Sequence, residues 1–198
     1  MHTPHVYGLT GGIACGKTTA LEAFVRLGID TIDADQIARE VIAPGSEGAT
    51  ALKAAIGESF FNSDQLDRSA LRNALYRDAL LKQTVESIVH PRVKAIIDAW
   101  RVAPTAAPYK ILCSPLLLET GHHPDLEGII VVDVPPETQR ARASSRDQTD
   151  PKAIQSIMDQ QMDRATRLDR ATFVLDNSGT PEALIKQVTN LHKRLLRD

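Results

Sequence analysis

Near the N-terminus, Gly11-Gly12-Ile13-Ala14-Cys15-Gly16-Lys17-Thr18 matches the spacing G-x-x-x-x-G-K-[ST], a set of residue types suited to holding polyphosphate. Its glycines let consecutive backbone N–H groups turn inward on one anion, and a helix begun directly afterwards aims its positive dipole end at the same charge. Lys17 is placed to reach β- and γ-phosphates, and Thr18 to hold Mg²⁺. The expected nucleotide contacts are Gly12, Ile13, Ala14, Cys15, Gly16, Lys17, Thr18 and Thr19, with Thr18 the metal ligand. The bland alternative, a glycine-rich turn before a helix, has to explain why both flanks fit the motif. Val6-Tyr7-Gly8-Leu9 reads as a short strand, and Thr18 to Leu27 carries apolar residues at helical spacing.

A second chemical signal is acidic. Ile29-Asp30-Thr31-Ile32 reads as a strand that ends in Asp33-Ala34-Asp35. In an open parallel sheet, ligands lie outside the carboxyl ends of the strands, which puts Asp33 on the same edge as the phosphate loop. One or two strand spacings, about 5–10 Å, leave room for a γ-phosphate and an attacking hydroxyl. Asp33 is thus the expected base, and Asp35 the expected cap of a helix from Gln36 to Ile42.

A third signal is basic. Pro136 to Asp147 reads as a helix presenting Arg140, Arg142 and Arg146, and Arg164, Arg167 and Arg170 follow. Between Glu137 and Arg170 seven Lys/Arg face six Asp/Glu, which a solvated, salt-bridged surface would also explain. Three arginines on one short helix of a phosphate-binding chain point to a lid that closes over the triphosphate, with Arg140 offsetting transferred charge and Arg142 and Arg146 on the nucleotide.

The elements that must position these groups follow from periodicity. From Pro44 to Gly57 a turn, Pro44-Gly45-Ser46, leads into a helix, Phe60 to Asp64 reads as a turn, and helices are expected from Asp67-Arg68-Ser69 through Leu75 and over Asp78 to Val89. His90-Pro91 marks a break before a further helix from Arg92 to Val102. Tyr109 to Ser114, Gly128 to Val134 and Phe173 to Asp176 are the remaining strands, and Thr180-Pro181-Glu182 opens the last helix with cap and proline in their preferred places. Asp133 closes an apolar strand in the manner of a Walker B carboxylate, although Pro135-Pro136 directly afterwards also suits a turn-forming aspartate. Asp150-Pro151 reads as cap and first position of another helix, and His122 and His123 lack a third ligand at metal-site spacing. The fold expected is α/β, a P-loop NTPase-type five-stranded parallel sheet flanked by helices. One domain is expected, with a core at 1–43, 104–135 and 171–198, a helical substrate-binding insertion at about 44–103 and a lid at about 136–170.

Composition narrows the class. With 198 residues, 42% hydrophobic and 24% charged, the chain is an ordinary globular domain, and a net charge of −2 argues against nucleic acid or an anionic membrane as its main partner. Two cysteines, Cys15 and Cys113, are too few for a disulfide framework and fit a reducing compartment. No signal pattern or membrane-length apolar run is present, so a cytoplasmic location is expected, with the protein a monomer or weak homo-oligomer.

Taken together, these residues resemble the dephospho-CoA kinase family along nearly the whole chain. The likeness rests on Gly8-Leu9-Thr10-Gly11-Gly12-Ile13, Ile32-Asp33-Ala34-Asp35 with Ala38-Arg39, Leu66-Asp67-Arg68 with Leu71-Arg72, and His90-Pro91. It continues through Pro115-Leu116-Leu117-Leu118-Glu119, Val132-Asp133-Val134 with Gln139, Arg146-Asp147, Gln161 and Asp176-Asn177-Ser178-Gly179. The resemblance implies transfer of the ATP γ-phosphate to the ribose 3′-hydroxyl of dephospho-CoA, with Mg²⁺. It places the acceptor on Thr10, Asp33, Arg39, His90, Leu117 and Glu119, and catalysis on Asp33, Lys17 and Arg140. The chain departs from the family where Ala14-Cys15 replaces Gly-Ser or similar, and where Leu118 replaces Phe. Ala14 narrows backbone freedom in the loop. A thiol near a helix N-terminus is expected to be acidic, so Cys15 is expected to react with alkylating reagents and to be protected by MgATP. A different small-molecule kinase is the nearest rival reading. A nucleotide-switched GTPase is another, and it would need a guanine-reading Asn-Lys-x-Asp run that the sequence lacks.

Overall fold

Apolar runs bounded by turn residues become the strands that carry the site. In the computed structural model, which describes residues 4–75, 77–120, 125–147 and 151–197 with backbone alone at 146 and 147, the chain forms two compact units, residues 1–32 with 103–198 and residues 33–102. It begins with β1 (His5–Thr10), α1 (Lys17–Arg26) and β2 (Asp30–Asp33), the last residue of which opens the second unit. That unit holds α2 (Ala34–Val41), α3 (Glu47–Ile56), a 3-10 turn at Glu58–Phe60, β3 (Phe61–Asn62), β4 (Gln65–Leu66), α4 (Arg68–Leu75) and α5 (Ala79–Val102). The chain then returns to the first unit through β5 (Tyr109–Cys113), α6 (Leu117–Thr120), β6 (Gly128–Asp133), α7 (Pro136–Asp147), α8 (Pro151–Gln160), α9 (Arg164–Asp169), β7 (Phe173–Asp176) and α10 (Pro181–Leu195).

The main sheet has the order β2-β5-β1-β6-β7, and β1 pairs in parallel with both β5 and β6. The order reverses at β1, so the crevice where such sheets bind ligands opens at its carboxyl end. The phosphate loop begins there, directly after Thr10. Every residue of β1 after His5 and all of β5 are buried, as expected of strands covered on both faces. Helices α1 and α10 pack Phe24, Leu184 and Val188 against Leu9, Ile111, Ile130 and Val132. An aromatic group closes one end of this core: the Tyr7 and Tyr109 rings meet edge to face at 5.6 Å, and the Tyr109 hydroxyl lies 2.8 Å from His192 Nδ1. Burial pushes the Tyr109 phenol above its ordinary value. Lys110 is buried on β5; its ammonium donates to the Ala103 carbonyl (2.7 Å) and lies 3.6 Å from Asp30 Oδ2. Partners of this kind are what make a buried cation tolerable.

The second unit has its own small core of Leu52, Leu66, Leu71 and Val85. Three expectations change here. Asp33, rather than Asp35, caps α2, and the helix starts two residues earlier than its periodicity suggested. Phe60 to Asp64, expected as a turn, lies in a short hairpin in which β3 pairs with β4 around Ser63, at a φ of 58°. Above all, His90-Pro91 does not end a helix, because α5 runs unbroken through Pro91. Pro91 lacks the N–H that the Ser87 carbonyl would otherwise receive, and the Arg92 guanidinium donates to the neighbouring Ile88 carbonyl at 2.8 Å. Apolar residues on both sides of the proline, Val85, Ile88 and Val89 before it and Ile97 after it, are buried or half-buried, and packing against α2 and α3 holds the helix together. The Asp150 cap and His122 and His123 lie outside the described residues.

Pro91 is exposed in a helix interior, where proline is unfavourable. Pro91→Ala should therefore raise stability by about 1–2 kcal/mol and the melting temperature by about 2–6 °C, read by calorimetry.

Candidate active site

A glycine-rich loop has little stiffness of its own, so its shape is set by what touches it. Gly16, at a φ of 98°, caps α1 without any side-chain hydrogen bond, and the first turn of α1 holds no acidic residue. Helices α2, α3, α9 and α10 each receive a side-chain cap, from Asp33, Ser46, Asp163 and Thr180. The first amides of α1 are thus left for an anion. Lys17 folds back over the loop, its ammonium donating to the carbonyls of Gly11 (2.7 Å) and Gly12 (3.2 Å). Thr18 is exposed at the mouth of the helix. Ala14 sits at a φ of 54°, a left-handed conformation that costs a non-glycine residue about 1–2 kcal/mol.

The loop is pinned from outside. Asn177, after β7, donates its buried side-chain amide to the Cys15 carbonyl at 2.7 Å, while its own backbone N–H donates to the Asp133 carbonyl at 2.9 Å. A Cβ at Gly16 would strike that same Asn177 amide. From the other flank, Ile13 N–H donates to Gln161 Oε1 at 2.9 Å. A Cβ at Gly12 would meet Gln139 Nε2 and would lie 3.0 Å from Arg167 Nη1. Met162, next to Gln161, is held at both ends: its N–H donates to Glu119 Oε1 at 2.7 Å and its carbonyl accepts from Arg167 Nη2. Asp133, 8% exposed at the end of β6, is gripped by Arg164, with Nε 2.9 Å from Oδ1 and Nη2 2.7 Å from Oδ2. Asp133 is thus neither a plain turn residue nor an unpartnered carboxylate, and its hydrogen bonds hold Arg164 firmly in the charged form.

The residues singled out from sequence are distributed as follows. Gly12 to Thr19 form the loop and first helical turn in the first unit. Thr10 and Leu117 are buried there, and the Glu119 carboxylate is engaged by Met162. Arg140 is exposed and donates to Gln155 Oε1 at 3.4 Å, whereas Arg142 donates to the Asn177 carbonyl at 2.9 Å. The Arg146 side chain lies outside the described atoms. Asp33, Arg39 and His90 belong to the second unit, where Arg39 and His90 are exposed and the Arg39 carbonyl accepts from Arg68 Nη2 at 3.3 Å. Asp33 accepts from the N–H groups of Asp35 (2.9 Å) and Gln36 (3.4 Å), both on Oδ1. Gln139, Gln161 and Asn177 were visible in the sequence only as fragments of a resemblance. Nothing in their spacing linked them to a loop up to 162 residues away.

The expected acidity of Cys15 is overturned. Its side chain is 0% exposed, and burial pushes the thiol up, against the smaller opposing pull of Lys17. Maleimide labelling of native protein at pH 7, located by mass spectrometry, should be at least about 100-fold slower at Cys15 than for a free thiol and become fast on unfolding. Asn177→Ala, which leaves the Cys15 carbonyl without its donor, should cost about 1–3 kcal/mol in chemical denaturation and raise the KM for ATP.

Comparison with known proteins adds an independent line. The dephospho-CoA kinase family profile matches residues 5–182. The dephospho-CoA kinase of Hydrogenovibrio crunogenus is 39% identical over 188 residues, spanning 94% of this chain and 95% of its own. A crystal structure of a Thermus thermophilus protein shares 27% identity and a TM-score of 0.85, with 98% of this chain and 99% of that one covered. The dephospho-CoA kinase from Campylobacter jejuni, at 21% identity and a TM-score of 0.66 over 100% of both chains, has the same fold. Agreement of this extent, reaching well beyond a phosphate loop that many kinases share, makes the chain a member of the dephospho-CoA kinase family.

Proposed function

We propose that this chain transfers the γ-phosphate of ATP to the 3′-hydroxyl of the dephospho-CoA ribose, giving CoA and ADP. The observation that carries this reading is a phosphate loop feeding an α1 N-terminus without a side-chain cap, in a chain that matches the family across residues 5–182. The first-turn amides of α1 and the Lys17 ammonium bind the polyphosphate. Thr18, exposed beside those amides and free of acidic neighbours in its turn, fits a hydroxyl ligand of Mg²⁺. Bound there, Mg²⁺ would supply charge neutralisation to the phosphate oxygens.

In the transfer, the 3′-oxygen bonds to the γ-phosphorus as the bond to the β–γ bridging oxygen breaks, and that electron pair leaves on ADP. The hydroxyl proton passes to Asp33. Its role as helix cap supports this assignment rather than competing with it: both cap bonds fall on Oδ1, which fixes the carboxylate and leaves Oδ2 for the hydroxyl. Thr10, Arg39, His90, Leu117 and Glu119 remain proposed acceptor contacts, and the helical stretch at about 44–103 the proposed CoA-binding insertion. The reading carries a cytoplasmic enzyme acting on small molecules alone, as a monomer or weak homo-oligomer. It is supported by two buried cysteines that form no disulfide and a net charge of −2, and among the described residues no helix is long and apolar enough to cross a membrane.

Asp33→Asn separates cap from chemistry, because the asparagine oxygen still accepts from Asp35 and Gln36. Coupled ADP release with dephospho-CoA should fall about 10²–10⁴-fold while ATP binding and melting temperature hold. Near-normal turnover would remove Asp33 from the mechanism.

A further inference from the structure

Arg167 is 6% exposed, and a buried guanidinium is normally matched by a carboxylate. Among the described residues no carboxylate lies within ion-pair distance of it; Nη2 donates to the neutral Met162 carbonyl and Nη1 lies against Gly12 of the phosphate loop. The other arginines of this region are placed differently. Arg164 is neutralised by Asp133, Arg142 is turned to the Asn177 carbonyl, and Arg140 lies out on the surface with Gln155. The Lys17 ammonium rests on the carbonyls of Gly11 and Gly12, so two cations converge on one glycine. Both also act on the Cys15 thiol below the loop. The exposed Asp163 carboxylate at the start of α9 feels the Arg167 charge without pairing with it, and a buried positive charge that lacks an ion-pair partner is costly unless an anion arrives to match it.

We infer that Arg167 contacts the terminal phosphate of the bound nucleoside triphosphate, its guanidinium held over Gly12 by the Met162 carbonyl. Glu119 is then a positioning residue, since its carboxylate fixes the Met162 N–H and through it the carbonyl that orients Arg167. This rests on the kinase reading above and moves the principal charge-offsetting role from Arg140 to Arg167.

The test compares Arg167→Met, Arg167→Gln and Arg167→Lys by melting temperature, by calorimetric titration with MgATP and MgADP in the absence of acceptor, and by turnover. Removing an unmatched buried charge should leave the melting temperature of Arg167→Met equal to or above that of the parent. ATP affinity should fall at least 10-fold and ADP affinity less than 3-fold, with turnover down at least 100-fold. Arg167→Gln, which keeps a donor for Met162 and decides the matter if the methionine variant does not fold, should show the same nucleotide pattern. Arg167→Lys, which keeps the charge, should recover to within about 10-fold of the parent. Wild-type ATP affinity and turnover in the uncharged variants, or equal losses for ATP and ADP, would overturn the inference. Wild-type protein that binds ATP but does not turn over dephospho-CoA would instead sink the substrate reading and leave the binding comparison standing.

Discussion

A loop of glycines can cradle phosphate only if something else holds it in shape, and the first unit is built around that constraint. Asn177 grips the Cys15 carbonyl from the β7 side, and Gln161 grips the Ile13 amide from the side of α8 and α9. Both flanks are themselves fixed, since the Asn177 N–H is tied to β6 and Met162 is tied to Glu119. The backbone freedom that lets amides turn inward is thereby paired with side chains that remove it again once the loop has formed. Glycine is required at Gly12 because Gln139 and Arg167 approach where a Cβ would stand, and at Gly16 both for its φ of 98° and because Asn177 approaches there.

Charge is handled by the same logic of matched partners. Lys110 reaches the Ala103 carbonyl and Asp30, and Asp133 is clasped by Arg164 through a fork of hydrogen bonds. Around the loop, Lys17 donates to the Gly11 and Gly12 carbonyls and to the Cys15 sulfur, and Arg167 donates to the Met162 carbonyl. Together with the α1 amides they form a positive region at the carboxyl end of β1, where the sheet order reverses. The ion pair at Asp133 also shows why an apolar strand ending in aspartate is ambiguous from sequence. The same carboxylate that suits a metal-bound water suits an arginine arriving from 31 residues further on.

Local patterns were read well where local forces decide. The strand–loop–helix around Gly11 to Thr18, the Thr180 cap with Pro181 behind it, and the helix Pro136–Asp147 rest on spacing, capping and periodicity within a few residues. The break expected at Pro91 does not occur, because the apolar face that packs α5 on both sides of it outweighs proline's local penalty. Residue type alone leaves Asp35 as the expected cap of α2, whereas Asp33 takes that place, with both cap bonds on its Oδ1. At Cys15, burial overrides the acidity that a position before a helix suggests.

The chain by itself therefore determined the chemistry on offer: a polyphosphate cradle, a carboxylate at a strand end, a surplus of arginines and a family likeness spread over its length. Which arginine lies against the loop, and which glutamine and asparagine hold it open, was decided only in three dimensions. Those contacts join residues up to 162 positions apart. Their pairing comes from how β6, β7 and the helices between them pack beside β1, and no periodicity within one segment encodes the distance between two.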